Sequence, residues 1–185
     1  MPMHLFHFSE ESAIEAFVPR PVAISAPRST GMEWLNGPLV WAIDDWHQPM
    51  YLFPRDCPRI LLWPTATTTP EDRRAYLSMS HGRMIAYIEW SWLKRLSETV
   101  LYRYTLPSDG FVCLHDAGMW VSRSPATPTE VQQITSLPTA LDGANVELRI
   151  VPSLEPFKAL RRTSLHVSMI RLRNRRSPED RADPA

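Results

Sequence analysis

The apolar positions of this chain fall into short runs that prolines and polar residues interrupt. Eighteen prolines are spread along the 185 residues, so few stretches can hold a long helix. Apolar runs of four to eight residues, several of them alternating with polar positions, are typical of strands. The pattern predicts strands at residues 3–8, 37–44, 59–63, 83–90, 99–106, 111–115, 119–122, 130–134, 145–151 and 166–173.

Helical spacing of apolar residues is less frequent. Residues 9–17 have Ser9 as a candidate N-cap and acidic residues in the first turn, so a helix is predicted directly after the first strand. Residues 70–79 begin with a proline and two acids, which favour a helix start. Shorter helices are predicted at residues 91–98 and 154–164.

These elements predict a strand-rich α+β fold with a few short helices. The length suits one domain, which is predicted over residues 1–173. Residues 174–185 are charged, contain prolines and have almost no apolar side chains, so they are predicted to form a disordered tail.

Composition narrows the class of protein. Apolar residues make up 44% of the chain, which is enough for a core, and the net charge is zero, so electrostatics gives no reason to expect nucleic acid or an anionic membrane as the main partner. The chain has no apolar run of 18 residues and no signal-peptide pattern. Its two cysteines form no disulfide framework, and we therefore expect a cytoplasmic location and no membrane partner.

The first strand ends in a polar pair that needs an explanation. Alternation places His7 and Ser9 on one face of the strand and Phe8 on the other. One interpretation is that His7 is structural and Ser9 caps a helix; the other is that both face a ligand. Trp41, midway along an aliphatic strand, either fills core or forms one wall of a slot for a planar ring.

Residues 49–59 contain two arginines around an Asp-Cys-Pro turn. Arg55 and Arg59 either hold a diphosphate or fix the loop through a carboxylate. Cys57 lies between them, and a cysteine nucleophile is a minor hypothesis because no histidine is near it in sequence. Glu147, at the start of a strand, is either solvated or placed for chemistry.

Several known kinds of site have no sequence signal. The chain has no Gly-rich phosphate loop, no H-E-x-x-H and no G-x-S-x-G. Its six histidines do not occur at helical metal-ligand spacing, so no metal site is predicted.

The order of the pieces LFHFSE, VWAID, LYRYTLP, MWVSRSPATPTEV and ELRIVPS resembles the strand order of the ADP-ribosyltransferase superfamily. Over residues 4–173 the chain also resembles a bacterial family of unknown function with FHFSE, VWAID, FPRDCPR and ELRIVPSL signatures. The first resemblance implies split antiparallel sheets and an enzyme that cleaves the nicotinamide–ribose bond of NAD, its co-substrate, and transfers ADP-ribose to an unknown acceptor, whether protein, nucleic acid or small molecule.

The same resemblance implies roles for particular residues. Glu147 and His7 match the catalytic positions, and the residues expected to bind NAD are Ser9, Trp41, Tyr51, Arg55 and Arg59. Trp41 stands where the superfamily usually has tyrosine, and a tryptophan cannot offer a phenolic hydroxyl. We expect His7, Trp41 and Glu147 to meet in one cleft. The alternatives are a nucleotide- or RNA-end-binding module on the same fold, and a globular protein without NAD activity.

Overall fold

The ten predicted strands are all present in the computed structural model, and they form two sheets. The structure describes residues 4–175. These divide into two compact units, of which the first contains the described residues up to Gln48 together with Val100–Ile134. The second contains Pro49–Thr99 and the described residues from Thr135 onward. The fold is strand-rich α+β, as the sequence predicts, and the prediction of one domain over 1–173 stays a prediction.

The first unit is built on a six-stranded antiparallel sheet. Its strands are β1 His4–Ser9, β2 Val40–Ile43, β5 Leu101–Pro107, β6 Val112–Cys113, β7 Met119–Ser122 and β8 Glu130–Ile134. Their order across the sheet is β6-β7-β2-β1-β5-β8. β1 is therefore central, with β5 on one side in register from His4↔Pro107 to Ser9↔Tyr102. On the other side Phe6 is paired with Ile43.

Each face of this sheet carries its own apolar cluster. One face includes Leu5, Ala42, Tyr104 and Leu106, all buried. The other packs Val121, Leu35 and Leu39 with the partly buried Trp34 and Trp41. Since side chains alternate between the two faces of a strand, this double burial explains the aromatic and aliphatic residues at both odd and even positions of β1 and β2.

The second unit is built on a four-stranded sheet of order β10-β3-β4-β9. Its strands are β3 Arg59–Trp63, β4 Met84–Glu89, β9 Val146–Val151 and β10 His166–Ile170. β3 and β4 are buried along their whole length. The pair β4/β9 is parallel, in register from Met84↔Val146 to Glu89↔Val151, whereas β3/β4 and β10/β3 are antiparallel.

The helices are short and differ from the predictions in places. α1 Pro70–Leu77 and α2 Leu93–Glu98 are confirmed, and Thr69 caps α1 by accepting a hydrogen bond from the Asp72 N–H. Residues 154–164 contain a 3₁₀ helix, Pro156–Arg162. The sequence pattern missed α3 Leu137–Gly143. Further 3₁₀ turns are Glu33–Asn36, Gln48–Tyr51, Trp90–Trp92 and Leu172–Asn174.

The helix predicted at residues 9–17 is wrong. Backbone groups of this segment bind a side chain from another strand instead of one another. The Tyr104 hydroxyl donates to the Glu11 carbonyl oxygen at 2.6 Å and accepts from the Ile14 N–H at 3.2 Å. Phe17 then forms an antiparallel bridge with Ala126. Ser9 does not cap a helix; its hydroxyl accepts from the Glu11 N–H at 3.0 Å and closes a local turn.

The end of β10 also departs from the predicted strand, which extended to residue 173. Arg171 has φ +55°, in the left-handed region, and this ends the extended backbone after Ile170. The predicted tail begins at 174, and its first two residues are held: Asn174 donates to the Asp56 carbonyl oxygen at 2.7 Å and Arg175 to the Glu155 carboxylate at 2.7 Å. The rest of that prediction lies outside the described residues.

Candidate functional site

Glu147 is the acidic centre of a hydrogen-bonded group in the second unit. The Arg149 Nε donates to its carboxylate at 2.6 Å, and the Arg149 Nη1 donates to the Tyr87 hydroxyl at 2.8 Å. The parallel register sets this arrangement, because Tyr87 is the β4 partner of Arg149 and alternation puts Glu147 on the same face as both. The side chains of Glu147 and Arg149 are each 31% exposed. Glu147 therefore has a fixed orientation and remains accessible.

The surroundings keep Glu147 ionised. Partial burial acts to raise the pKa of its carboxyl, but hydrogen bonds from Ser80 and Arg149 and the charges of Arg149 and His81 outweigh it, so the pKa lies below its usual value. Burial likewise acts to lower the pKa of Arg149, and the contacts with Glu147 and Tyr87 more than offset it, so that pKa is raised. The pair is a carboxylate and a guanidinium at neutral pH.

His7 is held by the backbone of the neighbouring strand. Its Nδ1 lies 2.8 Å from the Trp41 carbonyl oxygen, and since a carbonyl only accepts, Nδ1 carries the proton. The imidazole also packs against Phe17, with ring centroids 4.4 Å apart. His7 thus has a fixed tautomer and ring orientation, in keeping with the structural interpretation, and its predicted catalytic role stays a prediction.

The side chains of His7 and Trp41 do not share a face. Phe6 and Ile43 are paired, so they point to the same side of the sheet. Trp41 is two residues from Ile43 in β2, so its side chain points to that side as well. His7, one residue after Phe6, points to the other side. The cleft expected to contain both side chains is therefore not formed: Trp41 packs in the cluster with Leu39 and Val121, under the Arg28 guanidinium at 5.8 Å.

The side chain of Arg59 holds together the loop that joins β2 to β3. Arg59 is 2% exposed; its Nε donates to the Met50 carbonyl oxygen at 2.8 Å and its Nη1 to the Cys57 carbonyl oxygen at 2.9 Å. Its guanidinium lies over the rings of Tyr51 and Phe53 at 5.6 and 5.1 Å. Arg59 is buried and uses its Nε and Nη1 to hold backbone carbonyl oxygens, so it supports the loop, and its predicted binding of a diphosphate stays a prediction.

The other residues of this loop differ in how far their side chains are exposed to solvent. Cys57 is fully buried, and burial raises the pKa of its thiol to about 12, so the minor hypothesis of a cysteine nucleophile is wrong. Burial also raises the pKa of Tyr51, against the charges of Arg59 and Arg171. Arg55 and Asp56 are exposed. Of the two arginines proposed for a diphosphate, only Arg55 is accessible.

The predicted site residues are divided between the two units. Ser9, His7 and Trp41 belong to the first unit, and Tyr51, Arg55, Arg59 and Glu147 to the second. Sequence reasoning missed Arg149, Tyr87 and Ser80 as the partners of Glu147. Arg149 carried a local signal, since a cation two residues from an acid on a strand shares its face. Tyr87 had none, because its position depends on the parallel register.

The described residues contain neither a group of metal ligands nor a membrane-spanning helix. Within residues 4–175, no three His, Cys, Asp or Glu side chains are grouped so that they could hold a metal ion. No helix in that range is long and apolar enough to cross a membrane.

Comparisons with known proteins extend the sequence result without adding an activity. A family described as of unknown function matches residues 6–175, which is most of the chain. No curated protein and no solved structure matches this chain. The predicted membership in a family of unknown function is confirmed, and the ADP-ribosyltransferase resemblance stays a prediction.

Proposed function

Given that the chain belongs to the family of unknown function DUF6886, whose description assigns no activity, we propose that it is an enzyme of the ADP-ribosyltransferase type. In this proposal it cleaves the nicotinamide–ribose bond of NAD, and Glu147 is the catalytic carboxylate. One observation carries the proposal: Glu147 is accessible, ionised and fixed by Arg149 at 2.6 Å.

The chemistry explains why such a carboxylate is needed. When the bond between the nicotinamide nitrogen and ribose C1′ breaks, its electron pair leaves with nicotinamide and positive charge develops on the ribose, as in glycoside cleavage. The lone pair of the acceptor forms the new bond at C1′, and the acceptor's proton goes to solvent. A carboxylate that is already oriented stabilises the developing charge without reorganising during the step.

Arg149 and Tyr87 support this role by holding Glu147 in place. A bare carboxylate on an exposed strand end would rotate among rotamers, whereas the Tyr87–Arg149–Glu147 chain of hydrogen bonds fixes one orientation. Arg149 binds one carboxylate oxygen of Glu147, and Ser80 also donates to this carboxylate; in the proposal the exposed part of the carboxylate faces the ribose. Trp41 and Arg59 are not part of this proposal, and the acceptor is not specified by it.

The experiment is nicotinamide release from NAD by the wild type and by Glu147→Gln, with water as the acceptor. The amide keeps the size of the side chain and removes its charge, so we expect a loss of about 10²–10³ in rate. Glu155→Gln is the matched control, because Glu155 is a partly exposed carboxylate of the same unit that also pairs with an arginine, Arg175, at 2.7 Å. Equal rates for the wild type and Glu147→Gln, or no release by the wild type, would contradict the proposal.

A further inference from the structure

A cavity in the first unit is lined by none of the residues predicted for the preceding site. It is open to solvent on one side, has a volume of about 340 Å³ and is lined by Trp34, Gly110, Val112, Val121, Arg123 and Ser124. Small-molecule sites begin at about 300 Å³ and combine apolar and aromatic walls with a few polar groups. This cavity has both parts, an aromatic and aliphatic wall and one cation.

The cation of the cavity lies over an aromatic ring. The Arg123 guanidinium lies 5.1 Å from the centroid of the Trp34 ring. The planar guanidinium carries N–H donors whose spacing matches the oxygens of a phosphate or carboxylate. Among residues 4–175, no carboxylate lies within 4.0 Å of Arg123. A bound anion would therefore not have to displace an acid of the described part of the chain.

The apolar wall comes from two paired strands. Val112 and Val121 are directly opposite each other in β6 and β7. Val121 is buried, whereas Val112 is 62% exposed. A planar ring placed against Val112 would remove that surface from water, a gain of roughly 25 cal/mol for each Å² covered.

We propose that this cavity binds a mononucleotide-like ligand, that is, a planar aromatic ring carrying a phosphate group. The ring lies against Val112 and Trp34, and the phosphate accepts hydrogen bonds from Arg123. Ser124 belongs to the same lining, and in this proposal its hydroxyl is a further donor for the phosphate. The volume accommodates both a ring and a phosphate, which a bare aromatic carboxylate would leave partly empty. The proposal does not rest on Glu147 or on NAD cleavage.

The first unit offers a matched control for its test. Arg28 also lies over a tryptophan, at 5.8 Å from the Trp41 ring centroid, but it does not line the cavity. Arg123→Gln and Arg28→Gln therefore remove the same charge and the same kind of stacking contact, and only the first removes the proposed phosphate partner.

The experiment is a calorimetric titration with AMP, adenosine and inorganic phosphate. We expect AMP to bind the wild type and Arg28→Gln equally, and to bind Arg123→Gln at least about tenfold more weakly. Adenosine and phosphate should each bind more weakly than AMP, because each keeps half of the contacts. Addition of AMP should shift the methyl NMR signals of Val112 and Val121 in the wild type, and Glu147→Gln should keep the wild-type affinity for AMP.

Several outcomes would overturn the assignment. No binding of AMP to the wild type would remove it, and so would an equal loss in Arg123→Gln and Arg28→Gln, since net charge would then explain the effect. Phosphate that binds as tightly as AMP would reject the ring contact. Loss of AMP binding in Glu147→Gln would show that AMP binds near Glu147 and not in this cavity. Failure of NAD cleavage alone would not contradict AMP binding in the cavity.

Discussion

Arg59 and Glu147 lie on opposite faces of the same four-stranded sheet. Arg59 is paired with Ile88 of β4, while Glu147 is paired with Ile85. Positions 85 and 88 are an odd number of residues apart, so their side chains point to opposite sides. A ligand held by Glu147 on one face has no access to Arg59 on the other. This geometry separates Arg59, which supports the loop, from the face of the sheet where chemistry is proposed for Glu147.

Replacement of Arg59 by lysine should therefore lower stability, although the charge is kept. Lysine lacks the planar fork with which Arg59 donates from two separate nitrogens to the Met50 and Cys57 carbonyl oxygens while its guanidinium lies over the Tyr51 ring. Loss of one charged hydrogen bond predicts a decrease of about 1.5–3 kcal/mol in the free energy of unfolding. Urea denaturation measures it, and Arg55→Lys, at an exposed position of the same loop, should change the free energy by less than about 0.5 kcal/mol. Equal small effects would show that the buried fork contributes nothing.

The pKa of Glu147 should depend on Arg149. Because hydrogen bonds and positive charge hold this pKa below its usual value, removal of the guanidinium in Arg149→Gln should raise it. The carboxylate fraction would then fall at a higher pH, and the acid limb of any Glu147-dependent rate should move to higher pH with it. Carbon-13 NMR titration of the side-chain carboxyl measures the shift directly. The Glu155 carboxyl, paired with Lys158 and Arg175, serves as an internal reference that should not move.

The strands could be predicted from the sequence because their signal is local. Short apolar runs between prolines located all ten strands, and β10 ends three residues before its predicted end, at the left-handed Arg171. The failed helix at residues 9–17 shows the limit of local patterns. Its capping and spacing were those of a helix, but the hydroxyl of Tyr104, about 90 residues away in sequence, binds its backbone instead. No periodicity within nine residues contains that information.

The candidate site was predictable only in part, for a related reason. Alternation puts Glu147 and Arg149 on one face of their strand, so their contact at 2.6 Å had a local signal in the sequence. Whether His7 and Trp41 share a face depends on the register of β1 against β2, which the sequence does not specify. The burial of Arg59 depends on how residues 49–57 fold back over it. Sequence could name arginines suited to an anion, but it could not distinguish the buried one from the exposed one.

The two cysteines should differ sharply in reactivity. Cys57 is fully buried with a pKa of about 12, so at pH 8 only about one thiol in 10⁴ is ionised. Cys113 is partly exposed. Titration of the folded protein with a thiol-specific disulfide reagent at pH 8 should therefore modify one thiol per chain, and two after denaturation in urea. Cys113→Ser should abolish the reaction of the folded protein. Fast reaction of both thiols in the folded wild type would mean that the loop around Cys57 opens readily.

Gly118 should tolerate no side chain, because two constraints meet there. Its φ of +70° is in the left-handed region, and a Cβ would meet the Asp44 carboxylate oxygens at 2.6 Å and also the Nδ1 of His47. Asp44 and His47 are already fixed by a 2.8 Å hydrogen bond, so they have little room to move. Gly31→Ala separates the two effects, since Gly31 has φ +86° with nothing within 4 Å of its Cβ. Backbone strain alone predicts a loss of about 1–2 kcal/mol for Gly31→Ala, and the steric conflict predicts a larger loss for Gly118→Ala, both read from urea denaturation. Equal losses would mean that the Asp44–His47 pair yields to the new methyl group.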